Sequence, residues 1–247
     1  MQKKQLSVNN YFKNMSEEVK FKLDYSANAH FKGITIYSEY LNEGVEYIRK
    51  NMITEVLVKS LNSSKKQKIN FEFLKDVPFI EKFHCIVPLA KTSNISGLYY
   101  LTDLKDFAFS SYKDFDIDFE KNPNIEKLNI GYNSRIKNFN KLKHLKNLFL
   151  QVVESNDCKF LSDLENLEEL RVINGKFNSL KGLEECKKLK NLFLQKCSNL
   201  VDVYSILKEL DKLESAIFES SNKIDLIETG RIDLPAKLRI NINFKNI

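Results

Sequence analysis

The hydrophobic residues of this chain repeat with a spacing that changes, within a few residues, from three to two. In residues 142–150, LKHLKNLFL, leucines stand at positions 142, 145, 148 and 150. Every third residue faces one side of a tight turn or a 3₁₀ helix, and every second residue faces one side of a strand. The pattern therefore predicts an irregular or short helical piece that leads into a short, half-buried strand.

The same segment recurs along the chain, so that a predicted strand begins about every 22 residues. The first apolar residues of these strands are Val56, Phe83, Phe107, Leu128, Leu148, Leu170, Leu192, Ala216 and Leu238. About nine partial copies in one register predict a solenoid, in which each coil stacks on its neighbours. Amphipathic helices or a coiled coil are disfavoured, because a step of three residues drifts off one helix face within a few turns.

Several copies read LxxLxLxxN/C, and this motif resembles the leucine-rich-repeat superfamily, in bacterial forms such as internalins and phosphatase regulators. The clearest copies end at Asn133, Cys197 and Asn243, with a weaker one at Ser221. The resemblance implies an α/β solenoid, a leucine-rich-repeat horseshoe with a parallel concave β-sheet and a convex side of irregular, 3₁₀ or short helical pieces. It also implies that these four side chains form a hydrogen-bond ladder between coils. We expect interruptions where the same position holds Val153, Gly175, Tyr112 and Pro88.

The first 50 residues do not repeat. Residues 19–26, VKFKLDYS, and 33–40, GITIYSEY, alternate apolar and polar positions, which predicts two strands that pair as a hairpin. Val45, Ile48 and Met52 then share one helical face. We expect residues 1–50 to form an N-terminal α+β cap on the open end of a solenoid in residues 51–247. A separate small binding domain is the alternative.

One residue of each predicted strand lies between its two core positions and therefore faces the concave surface. These residues are Asn129, Phe149, Arg171, Phe193, Ile217 and Arg239, and the next outward row adds Gln151, Ile173 and Gln195. Aromatic and arginine side chains among amides are typical of an interface hot spot, so these nine residues are candidates for partner binding. As an alternative, exposed apolar side chains are common, and cross-strand aromatic contacts stabilise a sheet without a partner.

The positions and spacing of the four cysteines indicate neither disulfide bonds nor a metal site. Cys85, Cys186 and Cys197 occupy core or ladder positions and are expected to be buried, whereas Cys158 lies in a predicted loop. No metal-ligand spacing occurs, and no cofactor is expected. Reduced thiols fit a cytoplasmic location, although removal of a signal peptide would leave the same pattern. No apolar run is long enough to cross a membrane.

The net charge of +6 comes from 39 basic and 33 acidic residues. Residues 1–75 hold 13 basic and 8 acidic residues, and residues 62–68, NSSKKQK, have the composition of a loop. Nucleic-acid binding through this lysine-rich region is an alternative function. It is not favoured, because the arginines are few and scattered.

Catalytic motifs do not stand out. His30, His84 and His144 are far apart in the repeat, and the chain has neither a nucleophile elbow, a phosphate-binding glycine loop nor a zinc helix. The sequence therefore predicts a non-enzymatic protein that recognises another protein, as an inhibitor, immunity factor or regulator. A cell-surface adhesin of internalin type is the alternative. Lys237, Arg239 and Lys245 lie near the last strand, whose open edge would pair with a second copy in a homodimer.

Overall fold

The computed structural model describes residues 20–201, 203–224 and 238–243. Its strands are β1 (Phe21–Asp24), β2 (Gly33–Tyr37), β3 (Glu55–Lys59), β4 (Lys82–Cys85), β5 (Asp106–Phe109), β6 (Ile117–Asp118), β7 (Lys127–Tyr132), β8 (Ile136–Lys137), β9 (Asn147–Val153), β10 (Glu169–Ile173), β11 (Asn191–Gln195), β12 (Ser215–Glu219) and β13 (Arg239–Asn243). The α-helices among these residues are α1 (Leu41–Asn51) and α2 (Tyr204–Leu207). Short 3₁₀ helices occupy Ser38–Tyr40, Phe71–Asp76, Ser96–Tyr100, Tyr112–Asp114, Phe139–Lys141, Lys159–Leu161 and Leu183–Glu185.

Eleven of the described strands form one sheet whose order follows the chain: β1 to β5, β7, and β9 to β13. Strands β1 and β2 are antiparallel, and every later neighbour in this sheet is parallel. Strands β6 and β8 form a separate parallel pair. Each coil thus adds one strand to the growing edge, and the protein is the predicted α/β solenoid with a parallel concave sheet.

The convex segments follow the three-residue spacing because their backbone makes successive three-residue turns. The Leu142 N–H donates to the Phe139 carbonyl at 3.2 Å, and the Leu145 N–H donates to the Leu142 carbonyl at 3.1 Å. The next coil repeats this arrangement at Leu161, Leu164 and Leu167. Such turns return every third side chain to the same side, and all of these leucines are buried.

The two core rows of the sheet are buried along the solenoid, as the period-two pattern predicts. Leu148, Leu170 and Leu192 are paired in register on neighbouring strands and lie in the core. The second row, which includes Leu150 and Leu194, is equally buried. Residues between the rows face away from this core, because successive side chains of a strand point to opposite faces.

Neighbouring coils are joined most tightly where each strand begins. The Lys146 carbonyl accepts hydrogen bonds from the N–H groups of both Glu168 and Glu169, at 2.8 and 2.9 Å. The Glu168 carbonyl accepts in the same way from Lys190 and Asn191, at 2.8 and 3.1 Å. This double acceptance recurs from Thr54 to Lys190, so it fixes the register of each strand on the previous one.

Side chains at these strand entrances form a column in which charge alternates on seven successive coils. The column is Glu81, Lys105, Glu126, Lys146, Glu168, Lys190 and Glu214. Its shortest ion pairs join Lys146 to Glu126 at 2.8 Å and Lys190 to Glu168 at 2.7 Å. The hydrogen bond from Lys146 lowers the pKa of Glu126, and Glu126 in turn raises the pKa of Lys146. The alternation favours the observed register over any slip that places like charges together.

The N-terminal segment extends the same sheet. The predicted hairpin is present, because β1 pairs with β2, and β2 then runs parallel to β3. Helix α1 connects β2 to β3 and buries Val45 and Ile48. The prediction for Met52 was wrong: the helix ends at Asn51, and Met52 has a left-handed backbone (φ 49°) and is 61% exposed. The boundary at residue 50 remains a prediction.

The last described strand differs by two residues from the predicted register. Arg239 pairs with Ser215, and Asn241 pairs with Ile217. The prediction that Arg239 continues the row of Ile217 was therefore wrong. Leu238, Ile240 and Ile242 are apolar residues at every second position, so the sequence allowed either Leu238 or Ile240 to pair with Ala216. The structure pairs Ala216 with Ile240. Lys237 and Lys245, the other predicted edge charges, lie outside the described residues.

We expect Leu192→Ala and Phe193→Ala to affect stability very differently. Leu192 is 1% exposed, so its truncation leaves a core cavity and costs about 2–5 kcal/mol of unfolding free energy. Phe193 faces outward, and its truncation is expected to cost about 0.5–1 kcal/mol through the lost contact with Arg171. Urea denaturation followed by circular dichroism measures both. Equal losses would contradict the assignment of the two faces.

Replacing Lys146 by Glu places three carboxylates on consecutive coils, at positions 126, 146 and 168. We expect a lower Tm, with a deficit that shrinks between about 0.05 M and about 1 M salt because salt screens exposed charges. Lys146→Met is the matched control, since it removes the cation without adding a like charge, and its loss should be smaller. Equal, salt-independent losses in both variants would show that the charge alternation does not influence stability.

Candidate functional site

The outward row of the sheet brings together residues from seven neighbouring strands, β4, β5, β7 and β9 to β12. These residues are His84, Ala108, Asn129, Phe149, Arg171, Phe193 and Ile217. Strands of one sheet are about 4.8 Å apart, so the row spans about 29 Å. A concavity of about 470 Å³ lies over it, from His84 to Ile217, with Arg171 near its centre.

Arg171 is held between two aromatic rings. Its guanidinium carbon lies 5.0 Å from the centre of the Phe149 ring and 4.7 Å from that of the Phe193 ring. Both phenylalanines are half-buried, whereas Arg171 is exposed. Each cation–π contact at such a surface contributes about 0.5–1 kcal/mol. The predicted line of Phe149, Arg171 and Phe193 is therefore a stacked unit, hereafter the Phe–Arg–Phe stack.

The rows on either side of this stack are tied together by hydrogen bonds between strands. Asn147 Nδ2 donates to Glu169 Oε2 at 2.6 Å on the strand-entry side. On the opposite side, Gln195 Nε2 donates to Glu219 Oε2 at 2.7 Å. Each amide hydrogen bond restrains the carboxylate that accepts it, so these side chains beside the stack are already ordered in the free protein.

The remaining candidate residues lie around the stack. Gln151 Nε2 donates to Asn129 Oδ1 at 2.9 Å, so these two candidates contact each other. Ile173 and Ile217 are half-buried and leave part of their apolar surface open. Of the nine candidates, Arg239 does not occupy its predicted position, because it pairs with Ser215 rather than with Ile217.

The N-terminal end of the concavity contains a cluster that the sequence did not predict. His84 Nε2 and Asp106 Oδ1 share a hydrogen bond of 2.8 Å across neighbouring strands. The ring of Phe31, from the loop between β1 and β2, packs edge-on against His84, with 5.2 Å between ring centres. Lys82 Nζ lies 4.4 Å from the centre of the same ring. His84 occupies the outward position of KFHC, a signal that would have placed it on this face.

The predicted ladder side chains behave differently from one another. Ser221 Oγ accepts from the Cys197 N–H at 3.2 Å and so joins two coils. Asn133 Oδ1 instead accepts from the Arg135 N–H at 2.8 Å, so it closes its own turn, contrary to expectation. Asn243 pairs with Glu219 through the backbone, two residues before the ladder position, because β13 begins late.

Two serines that the sequence did not predict also join coils. Ser111 Oγ accepts from the Leu89 N–H at 3.0 Å and donates to the Val87 carbonyl at 2.9 Å. Ser93 makes the same pair of bonds to Ile69 and Gln67. Ser111 stands one residue before Tyr112, which is buried. The repeat motif places the ladder residue of this coil at position 112, so it does not identify Ser111, which makes the bonds one position earlier.

The lysine-rich segment at 62–68 lies on a loop rather than on the concave face. Lys66 Nζ is 3.2 Å from Asp114 Oδ2, and Lys91 Nζ is 3.5 Å from Asp114 Oδ1. The lysines lower the pKa of Asp114, chiefly through the hydrogen bond from Lys66. Part of the local positive charge is thus neutralised within the protein.

The four cysteines are free and buried. No group of three or more histidine, cysteine or acidic side chains in this part of the chain is arranged to hold a metal ion. Cys158 lies in a loop, as predicted, yet it is only 2% exposed. Burial raises the pKa of Cys85 and of Cys186 to about 12. Thiols with such pKa values are poor nucleophiles.

Within the residues that the structure covers, no helix has both the length and the apolar composition needed to cross a bilayer. The longest helix described is α1, with 11 residues.

Comparison with known proteins identifies the fold. Neither a protein-family model nor a curated protein sequence matches the chain. Internalin C2 from Listeria monocytogenes is similar in structure, with a TM-score of 0.52 at 16% identity, over 71% of this chain and 76% of that one. A leucine-rich-repeat protein from Leptospira interrogans gives a TM-score of 0.47 at 21% identity, over 75% of this chain and 54% of its own length. At 16% identity, the likeness to internalin C2 establishes the leucine-rich-repeat fold alone.

All four thiols are expected to resist modification in the native protein. A thiol reagent such as Ellman's reagent should react with none of them within minutes and with all four in denaturant, because only the thiolate reacts and burial suppresses it. Cys158→Ser is the control that identifies a loop-borne thiol. A rapid reaction of one equivalent that this substitution abolishes would contradict the burial of Cys158.

Proposed function

We propose that this leucine-rich-repeat solenoid recognises another protein through its concave face and performs no chemistry of its own. The biological role we infer is that of an inhibitor, an immunity factor or a regulator of the bound protein. The observation that carries the proposal is the Phe–Arg–Phe stack, in which two half-buried rings and an exposed cation line a concave surface.

The physical argument concerns what a partner would gain by covering this surface. Phenylalanine and arginine supply large contact areas, and arginine is enriched at the residues that dominate binding energy. The stack and the surrounding amide pairs are already ordered, so less side-chain entropy is lost on binding. A concave sheet is also the surface that solenoids use for extended contacts.

The other proposed features rest on separate observations. A cytoplasmic location is supported by four free, buried cysteines, and a surface adhesin remains the alternative. A homodimer through β13 remains a prediction, for which Arg239 is the described edge charge. The ion pairs at Asp114 give no support to nucleic-acid binding by the lysine-rich segment.

Affinity capture from the native cell with the full chain as bait tests the proposed face. We expect Phe193→Ala to weaken capture of the partner by about 2 kcal/mol or more, which is about thirtyfold in Kd. The purified partner then gives the Kd by calorimetry.

Tyr100→Ala is the matched control, because Tyr100 is an exposed aromatic residue at the end of a convex 3₁₀ helix. It should bind the partner like the unchanged protein. If Phe193→Ala also binds with unchanged Kd, or if Tyr100→Ala is the variant that loses binding, the concave face is not the recognition surface.

A further inference from the structure

The Arg171 guanidinium offers hydrogen-bond donors on the concave face. Its guanidinium carbon lies 5.0 Å from the centre of the Phe149 ring and 4.7 Å from that of the Phe193 ring. Its N–H donors lie along the edge of the guanidinium plane, and Arg171 is exposed. Within residues 20–201, 203–224 and 238–243, no carboxylate lies within ion-pair distance of Arg171.

The nearest acidic neighbours on the sheet are engaged elsewhere. Glu169, on the same strand and the same face, accepts from Asn147 at 2.6 Å. Glu219, two strands away, accepts from Gln195 at 2.7 Å. The fixed amides hold these carboxylates in place, so a cation remains available at the centre of an otherwise hydrogen-bonded surface.

We propose that Arg171 binds an aspartate or glutamate side chain of the partner protein, an inference that rests on the proposed function. A planar guanidinium matches a carboxylate in a two-bond fork, and the rings on either side fix its orientation. Stacking between Phe149 and Phe193 restricts the side chain before binding, so little further entropy is lost when the fork forms. The contact also lies in a partly apolar setting, where charge-assisted hydrogen bonds are stronger than in water.

A carboxylate fits this site better than a phosphate group does. A phosphate monoester carries a charge near −2 and is usually held by several cations. Here Arg171 lies beside Glu169, and Lys127, which also lines the concavity, is two strands away, whereas Asp106 and Glu219 add negative charge to the outward rows. A second negative charge on the ligand would be repelled by these carboxylates.

The stack also indicates what should flank the acidic residue. Phe149 and Phe193 lie on the two sides of Arg171, and Ile217 continues the apolar surface on the next strand. Alternate residues of an extended segment point to one face and are about 7 Å apart. The partner segment is thus apolar–x–Asp/Glu–x–apolar. An extended segment of about nine residues would cover the row of about 29 Å.

Selection from a displayed library of random nonapeptides tests this preference without knowledge of the partner. The full chain is the bait, and we expect the selected peptides to share an acidic residue with apolar residues two positions away on each side. A synthetic copy of a selected peptide should bind Arg171→Gln about tenfold to a hundredfold more weakly than the unchanged protein. Arg171→Lys keeps the charge but loses the fork, so it should bind with intermediate Kd.

A charge exchange provides the sharpest control. Arg171→Glu should lose the acidic peptide and bind the same peptide with Lys in place of the acidic residue. Circular dichroism and Tm of each variant establish that it is folded. Selected peptides that lack a common acidic residue, or that bind Arg171→Gln unchanged, would overturn the carboxylate proposal.

The same peptides separate this failure from failure of the proposed function. If they lose affinity for Phe193→Ala but not for Arg171→Gln, the concave face binds protein and the carboxylate preference is wrong. If they bind Phe193→Ala and Arg171→Gln as tightly as the unchanged protein, or if no peptide is selected, both proposals fail.

Discussion

The structure depends on the double hydrogen bond at each strand entrance. A carbonyl such as that of Lys146 accepts from two successive N–H groups of the next coil, and this fixes where the next strand starts. Once that point is fixed, strict alternation sends Leu170 into the core and Arg171 to the concave surface. A slip of one residue would exchange the two faces, so core packing and the outward surface share one constraint.

The same constraint explains how the molecule keeps phenylalanines on an exposed face. Strand spacing places Phe149, Arg171 and Phe193 at the distance at which a guanidinium fits between two rings. Each ring is half-buried and lines the concavity. The surface is therefore both stable in the free protein and available for contact.

The two ends of the described sheet differ in how their strands pair. At the N-terminal end, β1 adds an antiparallel strand, α1 buries its own Val45 and Ile48, and Phe31 packs against His84. At the other end of the described sheet, β13 continues the parallel pairing and begins at the exposed Arg239.

The sequence by itself determined the coil length, the buried rows and the outward direction of Phe149, Arg171 and Phe193. These properties are periodic and local, because turns and strands sort side chains by spacing alone. Only the tertiary structure decided the register of β13, the bonds of Ser93 and Ser111 to neighbouring coils, and the cluster of Phe31, His84 and Asp106. Each of these joins residues about 20 or more positions apart, and their contact depends on how the coils stack, which spacing within one coil does not specify.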